Sequence, residues 1–179
     1  MTDKFALGYF HHVYYPLFAL KRLEIGSVLE IGVNQGHSLE EWASLFPKAH
    51  VHGVDLHMPH NKPTTDRITI NLGDAYTPEV VQALSAYYPA GYDLIIDDGP
   101  HTIDSQKYFL NNYLPLLSDE GVAVLEDIIE VNRLEELTAC ISTELFEILL
   151  GGSTAKQFSS FKDSTRLLRI YVFPDLEPC

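Results

Sequence analysis

The feature that most constrains the fold is a regular alternation of short β-rich runs with helical patterns. The runs SVLEIG and AHVHGVDL are rich in Val, Ile and Leu, whereas HSLEEWASLF, between them, is amphipathic at helical spacing. The strands predicted in this way are 27–32, 49–56, 67–75, 92–99 and 121–128. Such alternation is typical of right-handed βαβ crossovers, which build a parallel sheet covered by helices. The sequence therefore predicts an α/β, Rossmann-like sheet with helices on both faces.

Two further β-rich runs, LFEILLGG and RLLRIYVF, follow a helical pattern over 132–143. They are joined only by the polar stretch 151–165, which contains glycine and serine, and this favours an antiparallel hairpin. The complete prediction is a seven-stranded, mostly parallel sheet that ends in a C-terminal antiparallel hairpin.

The segment from Tyr9 to Leu23 is aromatic, and its apolar residues recur at helical spacing, which predicts an N-terminal helix. A length of 179 residues suits one domain with one sizeable core. We therefore expect a single domain over 1–179, with a helical segment at 1–25 and a Rossmann-like core at 26–179. The aromatic helix could also supply an apolar surface for contact with a second copy.

The formal net charge is −13, from 25 acidic and 12 basic residues. Such a charge repels a phosphate backbone, and no stripe of Lys and Arg offsets it, which argues against a nucleic-acid partner. No apolar run approaches the roughly 20 residues of a membrane span, and the opening residues lack the pattern of a secretory signal. We expect a soluble, cytoplasmic protein without a membrane partner.

The turn after the first predicted strand, EIGVNQG, places an acid and two glycines before a helix. In doubly wound sheets ligands bind outside the carboxyl ends of the strands, where glycines let the backbone approach them. The spacing E-x-G-x-x-x-G departs from the G-x-G-x-x-G of dinucleotide-binding turns, which points away from NAD. Asp55 ends the second strand, where an acid can accept hydrogen bonds from ribose hydroxyls. Gly73 and Asp74 end the third, beside the expected purine.

This set resembles the strand ends of the class I S-adenosylmethionine-dependent methyltransferases. Any one of these residues alone could be an ordinary turn residue or a solvated strand end, but matches at three successive strand ends favour ligand binding. The resemblance implies S-adenosylmethionine as the cofactor, with Gly32 and Gly36 near its methionine part, Asp55 on the ribose and Asp74 near the adenine. Glu30 is the acid of the first turn and belongs to the same set.

Two pairs of adjacent acids, Asp97 with Asp98 and Glu126 with Asp127, end the fourth and fifth predicted strands. Neighbouring strands lie about 4.8 Å apart, so these carboxylates would gather at one edge of the sheet and repel each other. No Lys or Arg lies within either motif, and a hard divalent cation would neutralise them. We expect Asp98, Glu126 and Asp127 to bind Mg²⁺, and His101 to remove a proton from a nearby hydroxyl. The alternatives are solvated strand ends and an ordinary surface histidine.

The segments IIDDGPHTIDSQ and LLSDEGVAVLEDI resemble the D-D-G-S-H and E-D pattern of metal-dependent sugar O-methyltransferases. These are the mycinamicin and macrocin enzymes of macrolide biosynthesis and the related cephalosporin-hydroxylase-like rhamnosyl O-methyltransferases. The N-terminal TDKFALGYFHHVYYPLF is similar to the T-D-K segment and His/Tyr-rich helix of that group. The resemblance implies Mg²⁺ on Asp98, Glu126 and Asp127, with His101 as general base and Asp97 on the cofactor side.

The sequence thus predicts a Mg²⁺-dependent O-methyltransferase that acts on a hydroxyl of a small molecule, with a sugar or glycosylated natural product as candidate acceptor. We expect the acceptor pocket to come from the N-terminal helix, the 57–66 loop and the 151–165 connection. Pro100 replaces the serine of the family pattern, which could stiffen the turn before His101. Two other functions stay open: a metal-dependent hydrolase, which would not need Asp55 and Asp74, and a non-catalytic cofactor-binding protein.

Overall fold

The computed structural model describes residues 10, 14–61, 63–128, 136–137, 146–150 and 168–174, with the backbone alone at 128, 146–150 and 168–174. The strands are Ser27–Ile31 (β1), His50–Asp55 (β2), Ile68–Leu72 (β3), Tyr92–Asp97 (β4), Leu117–Ile128 (β5), Phe146–Leu150 (β6) and Leu168–Pro174 (β7). The helices are Tyr15–Phe18 (α1), His37–Leu45 (α2), Pro78–Tyr87 (α3) and Ile103–Asn112 (α4), with a 3₁₀ turn at Leu114–Leu116.

The strands form one sheet in the order β3-β2-β1-β4-β5-β7-β6, and the pairings between them are parallel. β1 lies at the centre of the parallel core, and all of its residues are buried, because helices cover both faces of the sheet. The chain builds outward from β1 to β3 and then returns to add β4 on the other side of β1. The topological switch point, where such sheets bind ligands, therefore lies between β1 and β4. The predicted α/β architecture with a parallel sheet is confirmed.

The predicted C-terminal antiparallel hairpin is wrong. β6 and β7 pair in parallel, with Phe146 opposite Leu168 and Leu150 opposite Val172, and β7 lies between β5 and β6. Parallel neighbours need a connection of about a dozen residues or more, and the interval 151–167 is long enough for one. The polar composition of that interval indicated a loop, but it carried no information on the direction of the strand that follows.

Side chains from successive residues of β1 pack on opposite faces of the sheet. Val28 belongs to a buried cluster with Trp42 of α2, whereas Leu29 belongs to a second cluster with Leu84 of α3 and Phe109 of α4. Each such buried side chain stabilises the fold by roughly 1.5–3 kcal/mol. The two clusters hold helices on both faces, as predicted.

The N-terminal helix ends earlier than predicted. α1 stops at Phe18, and hydrogen-bonded turns from Phe18 through Lys21 to Ile25 lead into β1. Leu20 is 95% exposed, so the apolar pattern towards Leu23 does not continue as a buried helical face. The predicted helix over 132–143 falls largely outside the described residues. Within the part of the chain that the structure describes, no helix has the length and apolar character needed to cross a membrane.

Candidate active site

The turn after β1 brings the ends of β1 and β4 into close contact. Gly32 has φ +83°, and a Cβ at this position would lie 2.0 Å from the backbone carbonyl oxygen of Asp98. Gly36 has φ +85°, precedes α2, and a Cβ there would lie 3.2 Å from Pro59 and from the carbonyl oxygen of Asn61. Gly32 is thus required by the approach of the protein's own chain, whereas at Gly36 it is mainly the positive φ that favours glycine.

Asp55, at the end of β2, ties the β1 turn to the loop after β2. Its Oδ2 accepts hydrogen bonds from the backbone N–H groups of Val33 at 2.8 Å and Asn34 at 2.9 Å, and its Oδ1 accepts one from His57 at 2.9 Å. Partial burial favours a higher pKa for Asp55, but these donors outweigh it and lower the pKa below its usual value. The carboxylate is therefore ionised, and its oxygens keep lone pairs that could accept further hydroxyl donors.

Asp74, which follows β3, is exposed and organises the turn into α3. Its Oδ1 accepts a hydrogen bond from the backbone N–H of Tyr76 at 2.9 Å, and its carbonyl oxygen accepts one from the Thr77 hydroxyl at 2.8 Å. These bonds fix the Asp74 carboxylate at the carboxyl edge of the sheet, on the same side of β1 as Asp55.

Three acids at the carboxyl ends of β1, β4 and β5 are buried, and each accepts a hydrogen bond from a hydroxyl of another element. Their exposed fractions are 0% for Glu30, 3% for Asp97 and 1% for Glu126. The donor–acceptor pairs are Ser38 with Glu30, Tyr76 with Asp97 and Tyr14 with Glu126. A buried carboxylate without donors is costly, so these hydroxyls help to hold the acids at the strand ends.

The contact between Tyr76 and Asp97 depends on a glycine in the β4 turn. The Tyr76 hydroxyl donates to Asp97 Oδ1 at 2.6 Å, and a Cβ on Gly99 would lie 2.0 Å from that hydroxyl oxygen. Burial raises the pKa of Tyr76, and the charge of Asp97 raises it further, so the hydroxyl keeps its proton and acts as donor. Nothing in the sequence pattern identified Tyr76, because the contact joins the turn after β3 to the end of β4, 21 residues away.

Tyr14 is fully buried beside carboxylates from three strands. Its hydroxyl donates to Glu126 Oε1. Burial raises the pKa of Tyr14 well above its usual value, and the charges of Glu126, Asp98 and Glu30 raise it further. The same hydroxyl therefore lies within electrostatic reach of acids at the ends of β1, β4 and β5.

Asp98, His101 and Asp127 form a half-buried cluster at the ends of β4 and β5. Each offers one donor atom, and these atoms all lie within 4.8 Å of one another. His101 Nε2 is 3.8 Å from Asp98 Oδ1 and 3.5 Å from Asp127 Oδ2. His101 has φ +55° and Asp127 has φ +52°, a backbone conformation that is costly for side chains other than glycine and recurs at functional sites. The structure thus brings two of the three predicted metal ligands beside the predicted base, while Glu126 lies buried next to Asp127.

An open cavity of about 1160 Å³ lies at the carboxyl ends of these strands, beside the switch point. The predicted site residues that line it are Gly32, Asp55, Asp74, Asp98, His101 and Asp127. Pockets for one small ligand measure about 300–1,000 Å³, so this cavity has room for more than one. Glu30, Asp97 and Glu126 are buried at the strand ends, and Gly36 packs on the loop after β2.

The loop after β2 and the first turns of α4 complete the lining. Leu56 and Met58 are 64% and 57% exposed and line the cavity, as does His57, so the start of the 57–66 loop and the residue before it border the cavity. The 151–165 connection falls outside the described residues. Ser105 and Tyr108 of α4 also line the cavity and were missed by the sequence analysis. They could have been found from the strand pattern, because α4 follows β4 and its first turns must therefore lie at the carboxyl edge of the sheet, where ligands bind.

Residues 29–128 match a family model described as a methyltransferase domain. The matched range begins in β1 and ends in β5, and it contains the predicted site residues.

Curated relatives are similar over much of this chain. A rhamnosyl-tetracenomycin-C 3'-O-methyltransferase from Streptomyces olivaceus is 29% identical over 71% of this chain and 34% of its own length. Demethylmacrocin O-methyltransferase from Streptomyces fradiae is 29% identical over 72% of this chain and 34% of its own length. The chain therefore spans about a third of the length of these relatives.

Solved structures of the mycinamycin-pathway methyltransferase MycE are similar in sequence and in fold. The complex with Mg and SAH has a TM-score of 0.58 and 30% identity, over 64% of this chain and 33% of that one. A complex of MycE with Mg, SAH and mycinamycin VI has a TM-score of 0.56 over 64% of this chain and 32% of that one.

Proposed function

Because this chain belongs to the family of methyltransferase domains, we propose that it transfers a methyl group from S-adenosylmethionine to a hydroxyl of a small molecule, with Mg²⁺ bound at the same site. Candidate acceptors are sugars and glycosylated natural products, the class named for its relatives. In this transfer the sulfur–methyl bond breaks as the carbon–oxygen bond forms, and the hydroxyl proton passes to a base. The products are a methyl ether and S-adenosylhomocysteine.

One observation carries the proposal: a single cavity is lined both by strand-end acids suited to a nucleoside and by a carboxylate–imidazole cluster suited to a metal. Asp55 and Asp74 line it beside β1, and Asp98, His101 and Asp127 line it at β4 and β5. This arrangement would place a cofactor and an activated hydroxyl side by side, where transfer between them requires only correct orientation.

Asp55 and Asp74 are the proposed cofactor-binding acids. Asp55 is ionised and rigid because three backbone N–H groups hold it, so the ribose hydroxyls would meet a preorganised acceptor. Gly32 lines the same wall. Glu30 and Asp97, also predicted to bind the cofactor, are buried at the strand ends, and Gly36 packs on Pro59, so we propose that these three residues act by positioning the residues that line the cavity.

The donor set at β4 and β5 fits a divalent cation that prefers oxygen ligands. We propose Asp98, Glu126 and Asp127 as its ligands: the side chains of Asp98 and Asp127 line the cavity, and Glu126 precedes Asp127 in β5. Asp97 pairs with Leu125 in the β4–β5 register, so Asp98 and Glu126 follow at the same level of the sheet. When bound, Mg²⁺ would supply positive charge that favours the deprotonated acceptor oxygen.

His101 is the proposed general base. Its side chain is 28% exposed and faces the cavity, so an acceptor hydroxyl could approach Nε2. The carboxylates of Asp98 and Asp127, at 3.8 Å and 3.5 Å, would stabilise the imidazolium that forms when His101 accepts the proton.

Calorimetry with S-adenosylhomocysteine, followed by a screen of sugar and catechol-like acceptors with and without Mg²⁺, tests the proposal. We expect binding that Asp55→Ala weakens, and metal-dependent formation of S-adenosylhomocysteine that Asp98→Asn and His101→Ala abolish. The absence of both binding and turnover in the unaltered protein would contradict it.

A further inference from the structure

Tyr14 reaches the proposed metal site from outside the matched range 29–128. It is 0% exposed, and its ring lies edge-on to Trp42 of α2 at 4.6 Å and against Phe10 at 5.5 Å. Its hydroxyl donates to Oε1 of Glu126, which is 112 residues away in sequence. A rigid ring packed on two aromatic side chains therefore fixes the position of one oxygen of a buried carboxylate.

We propose that Tyr14 is a positioning residue that holds Glu126 so that it offers a divalent cation one oxygen, Oε2, and thereby favours Mg²⁺ over Ca²⁺. The inference rests on the proposed function, because it takes Glu126 as a metal ligand.

The two cations use carboxylates differently. Mg²⁺ demands near-ideal octahedral geometry and is bound through few carboxylates, whereas Ca²⁺ takes more oxygens and commonly binds a carboxylate through both of them. A Glu126 that turned to present both oxygens to one cation would withdraw Oε1 from the Tyr14 hydroxyl. That hydroxyl lies in a fully buried site, where the loss of its acceptor is costly.

The packing of Tyr14 makes this restraint stiff. Phe10 and Trp42 are both fully buried, with ring centroids 4.5 Å apart, so the tyrosine ring cannot follow a rotating carboxylate. Ser38, which donates to Glu30 at 2.6 Å, is a short side chain on α2 and acts on a strand further from the metal ligands. Tyr14 is thus a buried hydroxyl that donates directly to a proposed ligand.

Binding of Mn²⁺ to the full chain, followed by electron paramagnetic resonance with Mg²⁺ and Ca²⁺ as competitors, tests the inference without any turnover. We expect Tyr14→Phe, which keeps the ring, to lower the ratio of Mg²⁺ to Ca²⁺ affinity roughly tenfold or more, because Glu126 can then present both oxygens to Ca²⁺ at no cost to a buried hydroxyl. The matched control is Tyr92→Phe. Tyr92 is equally buried, but it lies at the start of β4, away from the cavity, and its hydroxyl contacts His52 Nδ1 at 3.0 Å. The control should leave both affinities unchanged.

An unchanged ratio of Mg²⁺ to Ca²⁺ affinity in a folded Tyr14→Phe protein would overturn the inference. Glu126→Gln distinguishes a failure of this inference from a failure of the proposed function. If a folded Glu126→Gln protein binds Mn²⁺ with the affinity of the unaltered chain, Glu126 is not a metal ligand. If Tyr14→Phe does not fold, Glu126→Asp provides the second test, because the shorter side chain withdraws the carboxylate from Tyr14. The same fall in the affinity ratio is expected, and an unchanged ratio contradicts the inference.

Discussion

Replacing Gly32 with alanine should lower the free energy of unfolding, because both the backbone conformation and the close packing at this position require glycine. The position has φ +83°, which costs an alanine about 1–2 kcal/mol. The new Cβ would lie 2.0 Å from the Asp98 carbonyl oxygen, so the ends of β1 and β4 must separate by roughly 1.4 Å to reach ordinary contact at 3.4 Å.

That separation displaces the end of β1, which is hydrogen-bonded to the β4 turn on one side and to β2 on the other. The N–H of Asp98 donates to Ile31 at 2.9 Å, and the N–H of Gly32 donates to Val54 at 2.9 Å. Each contributes about 1 kcal/mol when made. Together with the dihedral cost, Gly32→Ala should lower the free energy of unfolding by about 3–4 kcal/mol, a large fraction of the roughly 5–15 kcal/mol of a typical domain.

Two other glycines provide matched controls. Gly36→Ala meets a similar φ of +85° but has contacts no closer than 3.2 Å, so it should cost about 1–2 kcal/mol. Gly26→Ala, at the start of β1, has 3.6 Å to its nearest atom and should change stability by less than about 1 kcal/mol.

Urea unfolding followed by tryptophan fluorescence measures this series, because Trp42 is the single tryptophan of the chain and is fully buried. The predicted order of destabilisation is Gly32→Ala, then Gly36→Ala, then Gly26→Ala. If Gly32→Ala is no less stable than Gly36→Ala, the close approach of the two strand ends is not what requires glycine.

Three further outcomes are expected. Tyr76→Phe removes a donor from buried Asp97 and should cost about 1–3 kcal/mol in urea unfolding, and an unchanged midpoint would contradict the role given to that contact. Burial lowers the pKa of His52, so below about pH 6.5 the unfolded chain binds more protons than the folded one. The free energy of unfolding should therefore fall as the pH drops through that value, and His52→Gln should make the free energy of unfolding less dependent on pH. Arg67 donates to three backbone carbonyls at the end of α2 and just beyond it, so Arg67→Ala should lower stability by roughly 1.5–3 kcal/mol, and thermal unfolding of Arg67→Lys should show a smaller loss.

The sequence was informative where a residue's position along a strand determines its place in the fold. In a parallel sheet the carboxyl ends of the strands meet at one edge, so Asp55, Asp74, Asp98 and Asp127 could be assigned to one region from the strand pattern alone. The structure places all four on the walls of one cavity.

The parts that could not be predicted depend on contacts between distant segments. The hydroxyl donors to Glu126 and Asp97 come from Tyr14 and Tyr76, which no periodic pattern connects with those acids. Their contacts are set by side-chain packing across the sheet, which the order of residues does not specify. The direction of β6 relative to β7 was missed for a related reason, because hydrophobic alternation identifies a strand but not its neighbour.

The proposed function requires that cofactor and cation bind side by side in the cavity at the switch point. A crystal structure of the full chain with S-adenosylhomocysteine and Mn²⁺ tests it, because Mn²⁺ can be located by its anomalous scattering. We expect the ribose hydroxyls at Asp55 and the ion in contact with Asp98 and Asp127. An ion bound elsewhere, or a nucleoside that does not contact Asp55, would contradict the proposed function.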